Sequence, residues 1–341
     1  MKNQKNREIR FKSRPEGMPT AANFELVETD VPTPGPGQVL VRNSYMSVDP
    51  YMRGRMTDRA SYVDGFKIGE VMTGGAVGQV VASNNDKWKV GDHVSHFGGW
   101  REWYVSTGAD FQKVDPNIAP LSAYLGTFGM PGLTAYAGLL RVGELKDGET
   151  VFVSAASGAV GAVVCQIAKA KGCTVIGSAG SDEKCKWLKD VAKVDHVINY
   201  KTAGDLTEAV RKAAPKGIDV YFENVGGAHL DAALANMRTN GRIPVCGMIA
   251  QYNATTLPPG PSNIIAVIPL RLTIKGFIVS DHADMAPQFI ADMAKWTMAG
   301  KMKWQETMKE GIENAPQAFL GLFSGDNSGK MVVRVGPDKA V

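Results

Sequence analysis

Val151–Ala168 runs for eighteen residues without a charge, and what it can become narrows the fold more than any other stretch. A continuous apolar span of that length would be long enough to cross a membrane. This one is broken in the middle. Val151-Phe152-Val153 is a short β-prone run, Ser154-Ala155-Ala156-Ser157-Gly158 is a turn of small residues, and a helical pattern follows. A strand–turn–helix is therefore expected. Inside it, Ala156-Ser157-Gly158-Ala159-Val160-Gly161 has the spacing G-x-G-x-x-G with Ala in the first place. At such a turn Gly158 lets the backbone approach a pyrophosphate, and Gly161 lets the helix close on the strand. The free amides at the helix start, aided by its dipole, then face the anion. The alternative is a tight turn that binds nothing.

The surroundings favour the ligand. From about Thr127, β-prone runs alternate with helical stretches. Strands are expected at 151–153, 174–177, 196–199, 220–223, 243–246 and 274–279. Helices are expected near 160–171, 182–192, 205–214, 228–237 and 285–299. That alternation is the pattern of βαβ units around a parallel sheet. The chain before it has short extended runs, at 39–44, 75–81 and 92–95, between Pro-, Gly- and Asn-rich turns, and reads as a small barrel or sandwich. Lys330–Val335 has the same β-rich texture, so the chain is expected to return to its first domain. The fold class is α/β: a Rossmann-type doubly wound parallel sheet over 129–299, and a β-rich domain from 1–128 with 300–341.

The second strand says which dinucleotide. An NAD site places Asp or Glu at its end to hold the ribose hydroxyls. Here that segment is Gly177-Ser178-Ala179-Gly180-Ser181, with no carboxylate before Asp182. Small residues leave room for a 2′-phosphate, and Lys184 can bring a positive charge to it. Ser181 reads as a helix N-cap, with Asp182 and Glu183 complementing the dipole. NADPH is the expected cofactor, against the plainer reading of Lys184 as an exposed helix lysine.

Other chemistries are disfavoured. Lys and Arg total 38 against 34 Asp and Glu, a net +4 with no run of five like charges, so nucleic-acid binding is not indicated. Met1–Glu8 has no apolar stretch of a signal peptide. Cys165, Cys173, Cys185 and Cys246 form no CxxC pair and read as small buried hydrophobes in a reducing cytoplasm. No cysteine precedes residue 165, and His93, His96, His196, His229 and His282 show no ligand spacing, which argues against zinc. His93 is expected on a strand and His96 in a structural role. Nothing resembles G-x-S-x-G. A hydride acceptor that needs no metal is an alkene conjugated to a carbonyl; the protein must only place it and stabilise the enolate. Tyr45, Met46, Tyr51, Met52 and Met130 suit such a pocket, although these residue types equally fill core.

Longer segments sharpen this. Met46-Ser47-Val48-Asp49-Pro50-Tyr51-Met52-Arg53, Gly129-Met130-Pro131-Gly132-Leu133-Thr134-Ala135-Tyr136, Tyr221-Phe222-Glu223-Asn224-Val225-Gly226-Gly227, Leu257-Pro258-Pro259-Gly260-Pro261 and Gly325-Asp326-Asn327-Ser328-Gly329-Lys330 resemble the zinc-free medium-chain dehydrogenase/reductases. The likeness is to the group of leukotriene hydroxydehydrogenase/prostaglandin reductase, plant alkenal double-bond reductases and bacterial curcumin reductase, and it covers nearly the whole chain. The resemblance implies a GroES-like first domain and NADPH-dependent reduction of α,β-unsaturated ketones or aldehydes. It places Gly158, Ala159, Val160 and Gly161 at the pyrophosphate and Lys184 and Tyr200 at the 2′-phosphate. Asn224, Cys246, Gly247, Tyr252, Phe277, Ile278, Val279 and Asn327 would line the rest of the cofactor. Tyr51, Met130 and Tyr252 are the substrate-pocket candidates, with Tyr51 also the candidate proton donor. Where zinc members carry Gly-His-Glu, this chain has Ile68-Gly69-Glu70. It departs at Pro269, where some members carry a Tyr near the nicotinamide ribose, so that hydroxyl is not carried over. A cytoplasmic homodimer is implied, with no membrane or nucleic-acid partner. The rival readings are a non-catalytic NADPH-binding protein and a zinc-type alcohol dehydrogenase.

Overall fold

The computed structural model describes residues 4–341; Met1, Lys2 and Asn3, the start of the polar N-terminal run, lie outside the described residues. In chain order the elements are β1 (Lys5–Phe11), β2 (Phe24–Asp30), β3 (Val39–Ser47), α1 (Met52–Arg55), β4 (Ala76–Ser83), β5 (His93–His96), β6 (Trp103–Ser106) and β7 (Gln112–Lys113). Then come α2 (Met130–Ala137), β8 (Thr150–Val153), α3 (Gly161–Ala170), β9 (Thr174–Ala179), α4 (Asp182–Asp190), β10 (His196–Asn199), α5 (Leu206–Ala213), β11 (Ile218–Phe222) and α6 (Ala228–Leu234). β12 (Met237–Val245), α7 (Val267–Leu270), β13 (Thr273–Gly276), α8 (Ala286–Met298), β14 (Glu306–Glu310), α9 (Ala315–Ser324) and β15 (Lys330–Arg334) complete the chain. The chain divides into two compact units, one running to Leu125 and including Glu306–Val341, the other Gly126–Gln305.

The first unit holds an antiparallel β1–β2 ribbon and a seven-stranded sheet ordered β14-β15-β3-β4-β5-β7, with β6 also paired to β3. β15 lies antiparallel to β3, Val333 opposite Met46, so the C-terminal run does rejoin the N-terminal sheet. Met46, Met52, Met72, Trp100 and Phe319 form part of its apolar core. The β1–β2 ribbon was not expected from the sequence. Its inward positions include Asn6 and Glu8, which hides the period-two apolar signal; Arg10 neutralises Glu8 at 2.8 Å.

The second unit is built on a six-stranded parallel sheet ordered β10-β9-β8-β11-β12-β13. Residues 151–153 of β8 are fully buried, as parallel strands covered on both faces must be. β9 and β10 extend from one side of β8, and β11 to β13 from the other. The strand order reverses between β8 and β11, and at the carboxyl ends beside such a switch point open α/β sheets bind their ligands. The uncharged run becomes β8, a turn and α3, and no described helix is long and apolar enough to cross a membrane.

Candidate cofactor site

The turn leaving β8 is bent by Ala155, a non-glycine residue at φ +47°. Its peptide is pinned on both sides: Ala156 N–H donates to Ser178 O at 2.9 Å and Gly158 N–H to Ala155 O at 2.9 Å. A Cβ on Gly161 would run into the Ala155 carbonyl oxygen and stand 2.8 Å from Ala156 Cα; one on Gly158 would meet only that oxygen, at 3.2 Å. Gly161 thus permits the contact between strand end and helix, while the space over Gly158 is open. The amides of Ala159 and Val160, just before the ten-residue α3, have no backbone acceptor. Donors without acceptors, a positive helix end and a bare Cα together fit a pyrophosphate.

At the end of β9, Ser181 Oγ caps α4 by accepting the Lys184 N–H at 3.3 Å. Asp182 and Glu183 lie in the first turn. Asp182 is occupied by Asn199, whose Nδ2 donates to it at 2.7 Å. Tyr200 N–H donates to Ala179 O at 3.1 Å, and a Cβ on Gly180 would stand 2.7 Å from the Tyr200 hydroxyl. Tyr200 and Lys184 are therefore both set at the mouth of β9. The Tyr200 ring packs edge-on to His229, 5.0 Å between centroids. Burial lowers the His229 imidazole to about 4, so it is a neutral partner of Ser178 Oγ at 2.9 Å.

Beyond β11 lies a polar cluster. Asn224 Nδ2 donates to Ser154 O at 2.7 Å, and Asn224 N–H to Ser154 Oγ at 2.9 Å. The 246–252 segment is stitched to the same turn: Cys246 N–H donates to Glu223 O, Ile249 N–H to Asn224 O and Ala250 N–H to Val225 O. A Cβ on Gly247 would stand 2.7 Å from the Tyr252 hydroxyl. Burial, and secondly the Glu223 carboxyl, push the Cys246 thiol up to about 12. Phe277, Ile278 and Val279 are half-buried after β13, with the Phe277 ring edge-on to Phe222 at 6.3 Å. Met130 opens α2, half-buried. Ser154 and Glu223 carry this cluster and were not singled out from sequence. The available signal was a Glu closing the otherwise apolar run Val220-Tyr221-Phe222.

Tyr51 and Asn327 lie in the first unit. Tyr51 is half-buried at the start of α1. Burial, then the Asp49 carboxylate, raise its phenol well above the ordinary value, with Arg55 acting in the opposite sense. It is therefore protonated at neutral pH and able to donate. Asp49 sits beside Lys330 Nζ at 3.3 Å, both nearly inaccessible. Asn327 Nδ2 donates to Gly329 O at 2.8 Å. Pro269 is exposed on α7. His93 opens β5; His96, at its other end, is buried and stacked on Tyr104 at 4.9 Å. All four cysteines are free; Cys165 and Cys173 are buried, and Cys185 and Cys246 only partly so, which corrects the expectation of four buried residues. Among the described residues, no three His, Cys, Asp or Glu side chains gather as a metal site would require.

A family model described as the N-terminal domain of oxidoreductase matches residues 7–114, and one described as zinc-binding dehydrogenase matches residues 159–295. The NADPH-dependent curcumin reductase of Escherichia coli (strain K12) is 47% identical over 340 residues, covering 98% of each chain. The NADP(+)-dependent 2-alkenal reductase of Nicotiana tabacum is 44% identical over 336 residues, 97% of each. Prostaglandin reductase 1 of Rattus norvegicus is 45% identical over 324 residues, 94% of this chain and 96% of the relative. The crystal structure of CurA in complex with NADPH from Vibrio vulnificus superposes with a TM-score of 0.92 at 46% identity, covering 97% of this chain and 99% of that one.

Proposed function

The chain belongs to the zinc-free medium-chain dehydrogenase/reductase family, in the group of the curcumin, 2-alkenal and prostaglandin reductases, and from that premise we propose its reaction and the residues that carry it. It is an NADPH-dependent reductase of the activated C=C bond of α,β-unsaturated ketones or aldehydes. NADPH, when bound, supplies the hydride that the β-carbon receives.

The chain's own part is binding, orientation and proton supply. Ala159 and Val160 would hold the pyrophosphate through their backbone amides, with Gly158 leaving room for its approach and Gly161 letting α3 close on the strand end. Lys184 and Tyr200 would meet the 2′-phosphate, the Lys as a point charge and the Tyr as a hydroxyl donor. Asn224, Cys246, Gly247, Tyr252, Phe277, Ile278 and Val279 would line the remaining cofactor surface within the second unit. Asn327 is assigned from the resemblance alone. Met130 and Tyr252 in the second unit and Tyr51 in the first are the substrate-side candidates. Tyr51, held protonated, is our candidate to deliver the proton that completes the reduction at the α-carbon.

The observation that carries this reading is the end of β9, where small residues and Lys184 replace the carboxylate of an NAD site, next to a turn whose amides lack acceptors. The test is consumption of NADPH and of NADH with a panel of enals, enones and quinones. Turnover with NADPH, much slower with NADH, is expected; no consumption across the panel overturns the reading.

We further propose a cytoplasmic homodimer joined through the second unit. β13 is an edge strand exposed along its length, and Ile265 and Ile268 near it are 68% and 71% exposed. Edges and apolar patches of this kind are usually covered. Light scattering should give twice the chain mass, and a monomer would refute the proposal. Four free thiols suit a reducing compartment.

A further inference from the structure

The cluster after β11 contains a buried carboxyl to which the proposed reaction gives no role. Glu223 is wholly inaccessible. Its Oε1 accepts from Val225 N–H at 2.7 Å, Gly226 N–H at 2.9 Å, Tyr221 Oη–H at 2.7 Å and Ser154 Oγ–H at 3.1 Å. Its Oε2 has no partner. Four donors from two neighbouring strand ends thus converge on one oxygen. The donors are informative. Val225 and Gly226 follow Asn224 directly, and Ser154 is the residue whose hydroxyl accepts the Asn224 N–H and whose carbonyl accepts Asn224 Nδ2. Gly226 and Gly227 both have positive φ, so little in their own chemistry would hold this turn in one shape.

We propose that Glu223 is the positioning residue of the cofactor site: as a single buried acceptor it ties the ends of β8 and β11 together and fixes the 224–227 turn, and with it the Asn224 side chain. The proposal rests on the reading of these strand ends as an NADPH site. A fold-stabilising role alone would make Glu223 matter for melting temperature and not for cofactor affinity once the chain is folded. A positioning role makes it matter for affinity in the folded protein. It also predicts that an isosteric acceptor rescues. Gln keeps a carbonyl oxygen at the Oε1 position and places its amide where Oε2 already has no partner.

The experiment uses the full chain and three variants, Glu223→Leu, Glu223→Gln and Ser154→Ala, each checked for folding by circular dichroism. NADPH affinity is read directly from nicotinamide fluorescence, without turnover. Amide exchange of the 224–227 peptide is followed in the apoprotein, and KM for NADPH is separated from KM for an enone. Expected are a tenfold or greater loss of NADPH affinity and faster exchange of 224–227 for Glu223→Leu, with the enone KM within twofold. Glu223→Gln should stay within about threefold of the parent. Should Glu223→Leu not fold, Ser154→Ala carries the test with a three- to tenfold loss. A folded Glu223→Leu that binds NADPH within twofold of the parent overturns the proposal. So does a Gln variant as weak as the Leu variant, or, where only Ser154→Ala can be read, affinity within twofold. A parent protein that binds no NADPH overturns the underlying reading instead, so the two failures are distinguishable.

Discussion

Replacing Gly161 and Gly158 by alanine, one at a time, should separate the two jobs of the turn after β8. At Gly161 the new methyl drives into the Ala155 carbonyl oxygen and stands 2.8 Å from Ala156 Cα and 3.0 Å from the Ala155 carbonyl carbon. Carbon atoms prefer about 3.5–4.0 Å, so one side must retreat by about 1 Å. Neither can do so cheaply. The Ala155–Ala156 stretch is tied to Ser178 O and to Gly158 N–H, and Ala155 already holds a left-handed φ. Overpacking of this kind costs about 1–3 kcal/mol, which lowers the melting temperature of a domain this size by about 2–12 °C. At Gly158 the methyl meets one atom at 3.2 Å in a backbone conformation that alanine accepts, so the apoprotein should melt within about 2 °C of the parent. The same methyl would occupy the space assigned to the pyrophosphate, and NADPH affinity should fall by about tenfold or more, that is 1.4 kcal/mol. Thermal melts of the apoproteins and fluorescence titrations with NADPH give both quantities. A Gly161→Ala variant that melts with the parent refutes the packing assignment. A Gly158→Ala variant that binds NADPH normally refutes the pyrophosphate assignment.

Three further outcomes are expected. Lys184→Ala should raise KM for NADPH by about tenfold or more, the worth of a charge-assisted contact, and leave KM for NADH unchanged; equal effects on both coenzymes would remove Lys184 from the 2′-phosphate. Tyr51→Phe should lower kcat by about 10²–10⁴ if the phenol supplies the proton with KM for NADPH unchanged, and an unaltered kcat would return Tyr51 to a packing role. Acid should destabilise the fold through its buried imidazoles, because His229 and His96 are lowered by burial from 6.5 to about 4 and about 3. The unfolded chain binds these protons first, so stability is full above about pH 6.5 and is lost as pH falls toward the folded values, by about 3 kcal/mol for His229 across the whole interval. Denaturant melts from about pH 7 down to about pH 5 check this. The His229→Gln variant should show a flatter profile, and an unchanged slope would contradict the assignment.

Much of the second unit is legible in the sequence, because a parallel sheet needs strands apolar on both faces. Val151-Phe152-Val153, Thr174–Ala179 and His196–Asn199 form within a few residues of where their composition places them. The cap at Ser181 follows equally directly from its position before Asp182 and Glu183. The first unit is less transparent. Its β1 carries Asn6 and Glu8 inward; Glu8 is satisfied by its near neighbour Arg10, but Asn6 needs a partner far along the chain, Trp103 N–H on Asn6 Oδ1 at 3.0 Å. Local pattern cannot report such a long-range pairing. The Glu223 cluster was hidden for a similar reason. A glutamate closing a strand looks like a surface residue until Ser154, seventy residues before Asn224, is brought to the neighbouring strand end. β12 begins at Met237, earlier than its apolar run suggests: Met237 pairs with Ile218, and the register then shifts past Asn240, which has positive φ, before Arg242 pairs with Val220.

The central claim is reduction of the C=C bond rather than of the carbonyl. It is tested most directly with NADPH deuterated at the transferring position and a simple enone, followed by NMR of the product. A saturated ketone with one deuterium on the β-carbon is the predicted result. An allylic alcohol with deuterium on the carbonyl carbon would contradict it.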